Sequence, residues 1–263
     1  QMNWDLSKLY AGFDDPKLHR ETAEAFALLT GLRAAIDELS DHCTPEGLAA
    51  VLETLKRVED ASIKIGSVTC LTLAVDANNE DARAYYDRVN DMDIERRQTF
   101  SALSRLLGRI DDLDAFIAGQ PVLEEHAFLL RKLKQSAAHV IDPALEPTVL
   151  RMQTTGVSAW SRLRNDLDAN LMIPFEKDGK SETLPLSAIR GLAYDASADV
   201  RRRAYEAEIS AYPRIEIPMA ACLNGIKGEA LTLMELRHYD SVLDSALDVS
   251  RMDRETLDAL LDV

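Results

Sequence analysis

Five histidines are the first place to look for chemistry in this chain, because paired imidazoles hold catalytic metals. A zinc peptidase helix needs two His one turn apart, with a Glu between them to act as base. His19, His42, His126, His139 and His238 never stand in that spacing. The nearest pattern is Glu235-x-x-His238, which on a helix sets a carboxylate and an imidazole on one face. A carboxylate-bridged dimetal bundle needs two such pairs and two further Glu, and only one pair is present. The expectation is therefore an exposed Glu and a His near a helix C-terminus, where its charged form meets the dipole favourably. Glu124-Glu125-His126 gathers three possible ligands, but neighbours on a helix diverge by about 100° and cannot converge on one ion. No metal set is expected in this chain.

Other chemistries find less. There is no Gly-x-Ser-x-Gly elbow, no phosphate-cradling Gly-x-x-x-x-Gly-Lys-Ser/Thr and no Gly-x-Gly-x-x-Gly. Gly225-x-x-Gly228 reads as close helix packing, and Trp4 and Trp160 as core anchors. Tyr205 and Tyr239 stay open as possible donors to a substrate carbonyl, with nothing in the sequence placing either beside a cleft. Catalytic and metal-binding residues are accordingly none, and substrate-binding residues unknown.

Composition bounds the partners. The 263 residues carry a net charge of −15, and only 6% are aromatic. A nucleic-acid surface would have to be a basic patch on a repulsive body. The densest basic run, Arg201-Arg202-Arg203, is flanked by Asp195, Asp199, Glu206 and Glu208, which predicts a solvated helix face of ion pairs. Cys43, Cys70 and Cys222 are scattered and odd in number, as in a reducing cytoplasm. The longest nearly apolar run, Val68 to Val75, is too short for a bilayer. Neither nucleic acid nor membrane is an expected partner.

The elements that must position any site are helical. Asp14-Asp15-Pro16, Thr44-Pro45-Glu46 and Asn78-Asn79-Glu80-Asp81 each start a helix with a cap. Behind them run apolar positions three and four apart: Leu18, Phe26, Leu29, Leu32, Ile36 and Leu39; Leu48, Val51, Leu52, Leu55 and Val58; Tyr85, Val89, Met92, Phe100, Leu103 and Leu107. The nearly uncharged run Ile63 to Val75 predicts burial on several sides. A short helix over 112–118 precedes a reset at Gly119-Gln120-Pro121, one helix to about Ile141, and another from Asp142-Pro143 to Thr155-Gly156. One stretch departs from helix: Leu171 to Phe175, an Asp178-Gly179 turn, and a return through Leu184-Pro185-Leu186, which together read as a hairpin. A helix resumes near Ser197, with a kink or break expected at Pro213 and Pro218. The last helices run from Ala220 to Arg237 and from Arg254 on, behind Asp253. The fold class is mainly α: helical hairpins or a bundle with one small β-hairpin at about 171–186.

The order of NWDLSKLY, GVSAWSRLRNDL, the hairpin with its LPLSAI return, DASADVRRRAYEA and LNGIKGEALTLMELRHYDSVLDSAL resembles the N-terminal half of the oligoendopeptidase F family. That family belongs to the thimet-oligopeptidase-like zinc metallopeptidases, and the resemblance is strongest from Leu123 to Leu247. It implies a cytoplasmic zinc metalloendopeptidase that cuts short peptides in a channel between two lobes. Residues 1–186 would form an N-terminal helical lobe and 187–263 the start of the catalytic lobe. The chain is then expected to be a truncated piece, inactive alone and without zinc. The full-length protein would hold the metal, with oligopeptide substrates and the missing C-terminal lobe as partners. A noncatalytic helical scaffold or adaptor is the alternative that composition and periodicity suit equally well.

Overall fold

The computed structural model describes residues 5–177 and 179–262, apart from the side chain of Lys177. Trp4 and Asp178 lie outside the described residues, so the anchor reading of Trp4 is not addressed. The chain divides into two compact units. One comprises the chain up to Leu150 together with Glu235 onward, and the other is Arg151–Met234. The expected boundary at 186/187 falls within the second unit.

The first unit is built on three long helices, α1 (Pro16–Leu39), α2 (Pro45–Val75) and α3 (Glu80–Gly108). Their 24, 31 and 29 residues correspond to roughly 36–46 Å of rod at 1.5 Å per residue. Each starts where a short polar side chain satisfies an otherwise orphaned backbone donor: Asp15 accepts from Lys17 N, Thr44 from Gly47 N and Asn79 from Ala82 N. Prolines at the first turn of α1 and α2 cost no hydrogen bond there. The three pack on one another through Leu18, Leu29, Leu32, Ile36, Leu48, Val58, Ile65, Leu103 and Leu107, all at most 2% exposed. Tyr10 of the leading segment is buried against this core and donates to Glu21 at 2.7 Å. The expectation for residues 63–75 needs correction. Only Ile65, Val68 and Thr69 are buried, while Ile63 is 64% and Val75 56% exposed, so the helix buries one face here as elsewhere.

Shorter helices complete the unit: α4 (Leu113–Ile117), α5 (Pro121–Glu125) and α6 (Ala127–Ser136), then a 3-10 turn at Ala137–His139. The single helix expected to reach Ile141 is thus interrupted at His126, whose backbone (φ −99°, ψ 13°) leaves the helical region. Helix α7 (Glu146–Thr155) begins later than Asp142-Pro143. Near the far end of the chain, α12 (Val242–Ser250) and α13 (Arg254–Leu261) belong to this unit, capped by Ser241 and Asp253.

The second unit holds α8 (Val157–Ala169), the hairpin β1 (Met172–Lys177) and β2 (Lys180–Pro185), α9 (Leu186–Gly191), α10 (Ala198–Ala211) and most of α11 (Glu216–Leu236). The strands pair antiparallel from Met172↔Pro185 to Lys177↔Lys180. Gly179, with φ 74°, supplies the left-handed residue that a two-residue connection requires. Alternation sends Leu171, Ile173 and Phe175 to one face, where they pack with Leu186, Ile189, Val200 and Ala204. Pro213 ends α10 in a 3-10 turn at Tyr212–Arg214 as expected, but Pro218 breaks nothing. It sits in the first turn of α11, where the missing N–H has no intrahelical partner to lose.

Among the described residues no helix is long and apolar enough to cross a membrane.

Candidate functional site

Within the first unit, the residues that end α6 and those joining α11 to α12 and α13 enclose a polar cleft of about 450 Å³. Its geometry follows from how α11 stops. The helix closes at Leu236, the N–H of His238 donates to the Glu235 carbonyl at 3.0 Å, and His238 itself adopts φ 56°. That left-handed residue turns Tyr239 onto His139. The two rings stack with centroids 3.8 Å apart and planes 7° from parallel. The imidazole Nδ1 of His139 lies 2.9 Å from the Arg237 carbonyl. A carbonyl only accepts, so that nitrogen carries the proton.

The phenol of Tyr239 donates to Asp248 Oδ2 at 2.7 Å. Partial burial, then this bond and the carboxylate's charge, push its pKa up to about 12. It therefore stays protonated at neutral pH, with its proton committed to Asp248. Other carboxylates around the cleft are also engaged: Asp244 accepts from Ser241, and Asp253 accepts from the backbone N–H of Thr256. Arg251, also left-handed at φ 53°, turns its guanidinium over the Phe128 ring at 5.6 Å. These features give a polar wall whose side chains are bonded to one another and to nearby backbone. They place no nucleophile beside a base.

The sequence singled out Glu235, His238 and Tyr239, and only Tyr239 is held in this wall by side-chain bonds. Glu235 and His238 are exposed, and they do not share a helix face because the helix ends between them. Glu124, Glu125 and His126 likewise go separate ways: Glu124 accepts from Gly119 N at 2.9 Å, and His126 Nδ1 meets the Val122 carbonyl at 2.9 Å. Among the described residues no three of His, Cys, Asp and Glu gather as a metal-holding group. The described residues do not gather a zinc ligand set.

In the second unit, α8 meets α11 across two glycines. A Cβ at Gly225 would stand 2.5 to 2.8 Å from atoms of the Trp160 indole, so the half-buried ring lies directly on the backbone of α11. One turn on, Glu229 caps α8. Its carboxylate accepts from Val157 N at 2.6 Å and from Gln153 Nε2 at 3.1 Å. A side chain at Gly156 would collide with it. Gly228 faces open space, so the packing expected of Gly225-x-x-Gly228 belongs to Gly225 alone. Sequence reasoning passed over Glu229 because its partner, the helix start at Val157, lies 72 residues away.

Arg202 and Arg203 of α10 pair with Asp199, and Arg202 also with Glu206, the ion-paired face that was expected. Arg203 goes further: its guanidinium lies 5.6 Å from the Phe175 ring and donates to the Glu176 carbonyl at 2.7 Å. Tyr205 is 63% exposed. Burial pushes the Cys43 thiol up, Cys222 is buried, and Cys70 is exposed.

Neither unit covers all its apolar side chains. In the second, Tyr194, Ile217 and Leu223 are 93%, 84% and 56% exposed. In the first, Val249 and Leu261 are 78% and 74% exposed.

No family model and no curated protein matches this sequence. The crystal structure of oligoendopeptidase-F from Enterococcus faecium aligns with 94% of this chain at a TM-score of 0.76 and 19% identity. A crystal structure from Chlamydophila abortus covers 93% of the chain and 41% of its own at 19% identity, with a TM-score of 0.48. This chain spans about half, 49%, of the Enterococcus protein. The fold is that of oligoendopeptidase F over about half of that protein's length.

Proposed function

We propose that this chain supplies the N-terminal half of a cytoplasmic zinc metalloendopeptidase of the oligoendopeptidase F type, acting on short peptides. The observation that carries the reading is the likeness to the Enterococcus oligoendopeptidase over 94% of the chain. The order of sequence segments across the hairpin points the same way. In this reading, residues outside the chain hold the metal and perform the hydrolysis, and this half forms walls that exclude folded proteins by shape.

Helix α11 supports the need for a covering partner. Met219, Ala220, Ala221, Leu223, Ile226, Ala230, Leu231, Leu233 and Met234 make it apolar around much of its girth, yet only Cys222 is buried. An all-round apolar helix is the kind that folded proteins enclose. The proposed role therefore sets this chain against a catalytic lobe that would cover it.

The test is to measure zinc and peptide cleavage on the purified chain at neutral pH. The expected result is no stoichiometric zinc and no cleavage of internally quenched peptides. Cleavage should appear when the chain is joined to a polypeptide carrying an HExxH helix. Tight one-to-one zinc with chelator-sensitive cleavage by this chain alone would overturn the proposal.

A further inference from the structure

The hairpin has two outer edges, and they are not equivalent. Leu186 N donates to the Leu171 carbonyl at 3.1 Å, which fixes 171/186 as a hydrogen-bonded pair. With the observed register, bonded pairs then fall at 173/184, 175/182 and 177/180. The backbone groups of Met172, Pro174 and Glu176 on β1, and of Ser181 and Thr183 on β2, consequently point away from the ladder.

The β1 edge is blunted. Pro174 has no N–H to offer, and the outward carbonyl of Glu176 already accepts from Arg203 at 2.7 Å. The β2 edge carries a proline only at its last residue, Pro185, and is open before it. Lys180, Ser181, Glu182 and Thr183 are all exposed, and no bond reaches the outward N–H and C=O groups of Ser181 or Thr183 among the described residues. Pro185 limits this open edge at its far end. Four unpaired backbone groups in extended register form a template for one more strand.

Charge selects the occupant. Two copies of β2 related by a two-fold axis at the centre of this edge would set Glu182 against Glu182, on chains that each carry a net charge of −15. A peptide with a basic side chain opposite Glu182 meets the opposite sign instead. We propose that the outer edge of β2 takes up an extended peptide by strand addition, with Glu182 selecting a basic side chain at the position opposite it. The peptide is recognised mainly through its backbone, so its other side chains are weakly specified. The choice of occupant rests on the peptidase reading above.

Fluorescence anisotropy on this chain with a labelled nonapeptide of alternating Thr and Val around a central Lys tests the proposal. The Lys peptide should bind about fivefold more tightly than its central-Glu analogue, and Glu182→Lys should invert that preference. The residues flanking the central Lys oppose Ser181 and Thr183, so N-methylation of both should weaken binding at least tenfold. N-methylation of the central Lys, whose N–H faces away, should leave binding unchanged. Absence of binding, equal binding of the Lys and Glu peptides, or indifference to which nitrogen is methylated would each overturn the inference. Because binding is read without cleavage, these outcomes are separate from those of the zinc test.

Discussion

At the scale of single residues, the contacts that organise the second unit are made by what is small or absent. Gly225 lets the Trp160 indole rest on the α11 backbone, and nothing larger fits without displacing the ring. Gly225→Ala should therefore destabilise the chain by about 1–3 kcal/mol through overpacking. Gly228→Ala, one turn away in open space, should cost nothing and gain slightly from helix propensity. Denaturant unfolding of both variants checks this; equal midpoints would show that the indole moves aside at no cost. Such asymmetry was not visible in the sequence. Gly225 and Gly228 are equivalent letters in a pattern, and only the placement of Trp160 distinguishes them. The Tyr239 stack was hidden for the same reason, since His139 lies a hundred residues before it.

At the scale of elements, the sequence was far more legible, because helix starts are local chemistry. Asp15, Thr44, Asn79, Asp112, Ser197 and Asp253 all accept hydrogen bonds from the first turns of the helices they precede. Thr44→Ala at the head of α2 should cost about 1 kcal/mol, read as a lower unfolding midpoint, and Thr44→Ser should restore most of it. An unchanged midpoint in Thr44→Ala would mean that water replaces the hydroxyl without loss. The hairpin was legible too, from alternation around an Asp-Gly pair. Interruptions were harder. The break at His126 and the separate α12 carry no glycine or proline that would mark a new helix from within, whereas α9 starts behind Pro185 and ends at Gly191. Pro218 carried a breaker signal whose effect vanished through its position in the first turn. Loss of charge along 63–75 does not specify burial, because it also suits a helix face left bare.

At the scale of the whole molecule, charge and exposed apolar surface pull in opposite directions. A net charge of −15 keeps copies apart, while side chains such as Ile217, Val249 and Leu261 stand in water. The native chain should therefore raise the fluorescence of an apolar dye at low salt, and association should increase as pH approaches the isoelectric point near 4.8. Replacing Ile217 and Leu223 by Lys should lower the dye signal while changing stability by no more than about 0.5 kcal/mol per site. A large loss of stability would show that these side chains are already packed. The first unit is discontinuous, with α12 and α13 joining it only after the entire second unit has been made. At about 5–20 residues per second, a ribosome takes roughly 4–17 seconds to cross that insertion. During this interval the helices that emerged first wait, His139 lacks its stacking partner, and a chaperone has its clearest opportunity to hold the nascent chain.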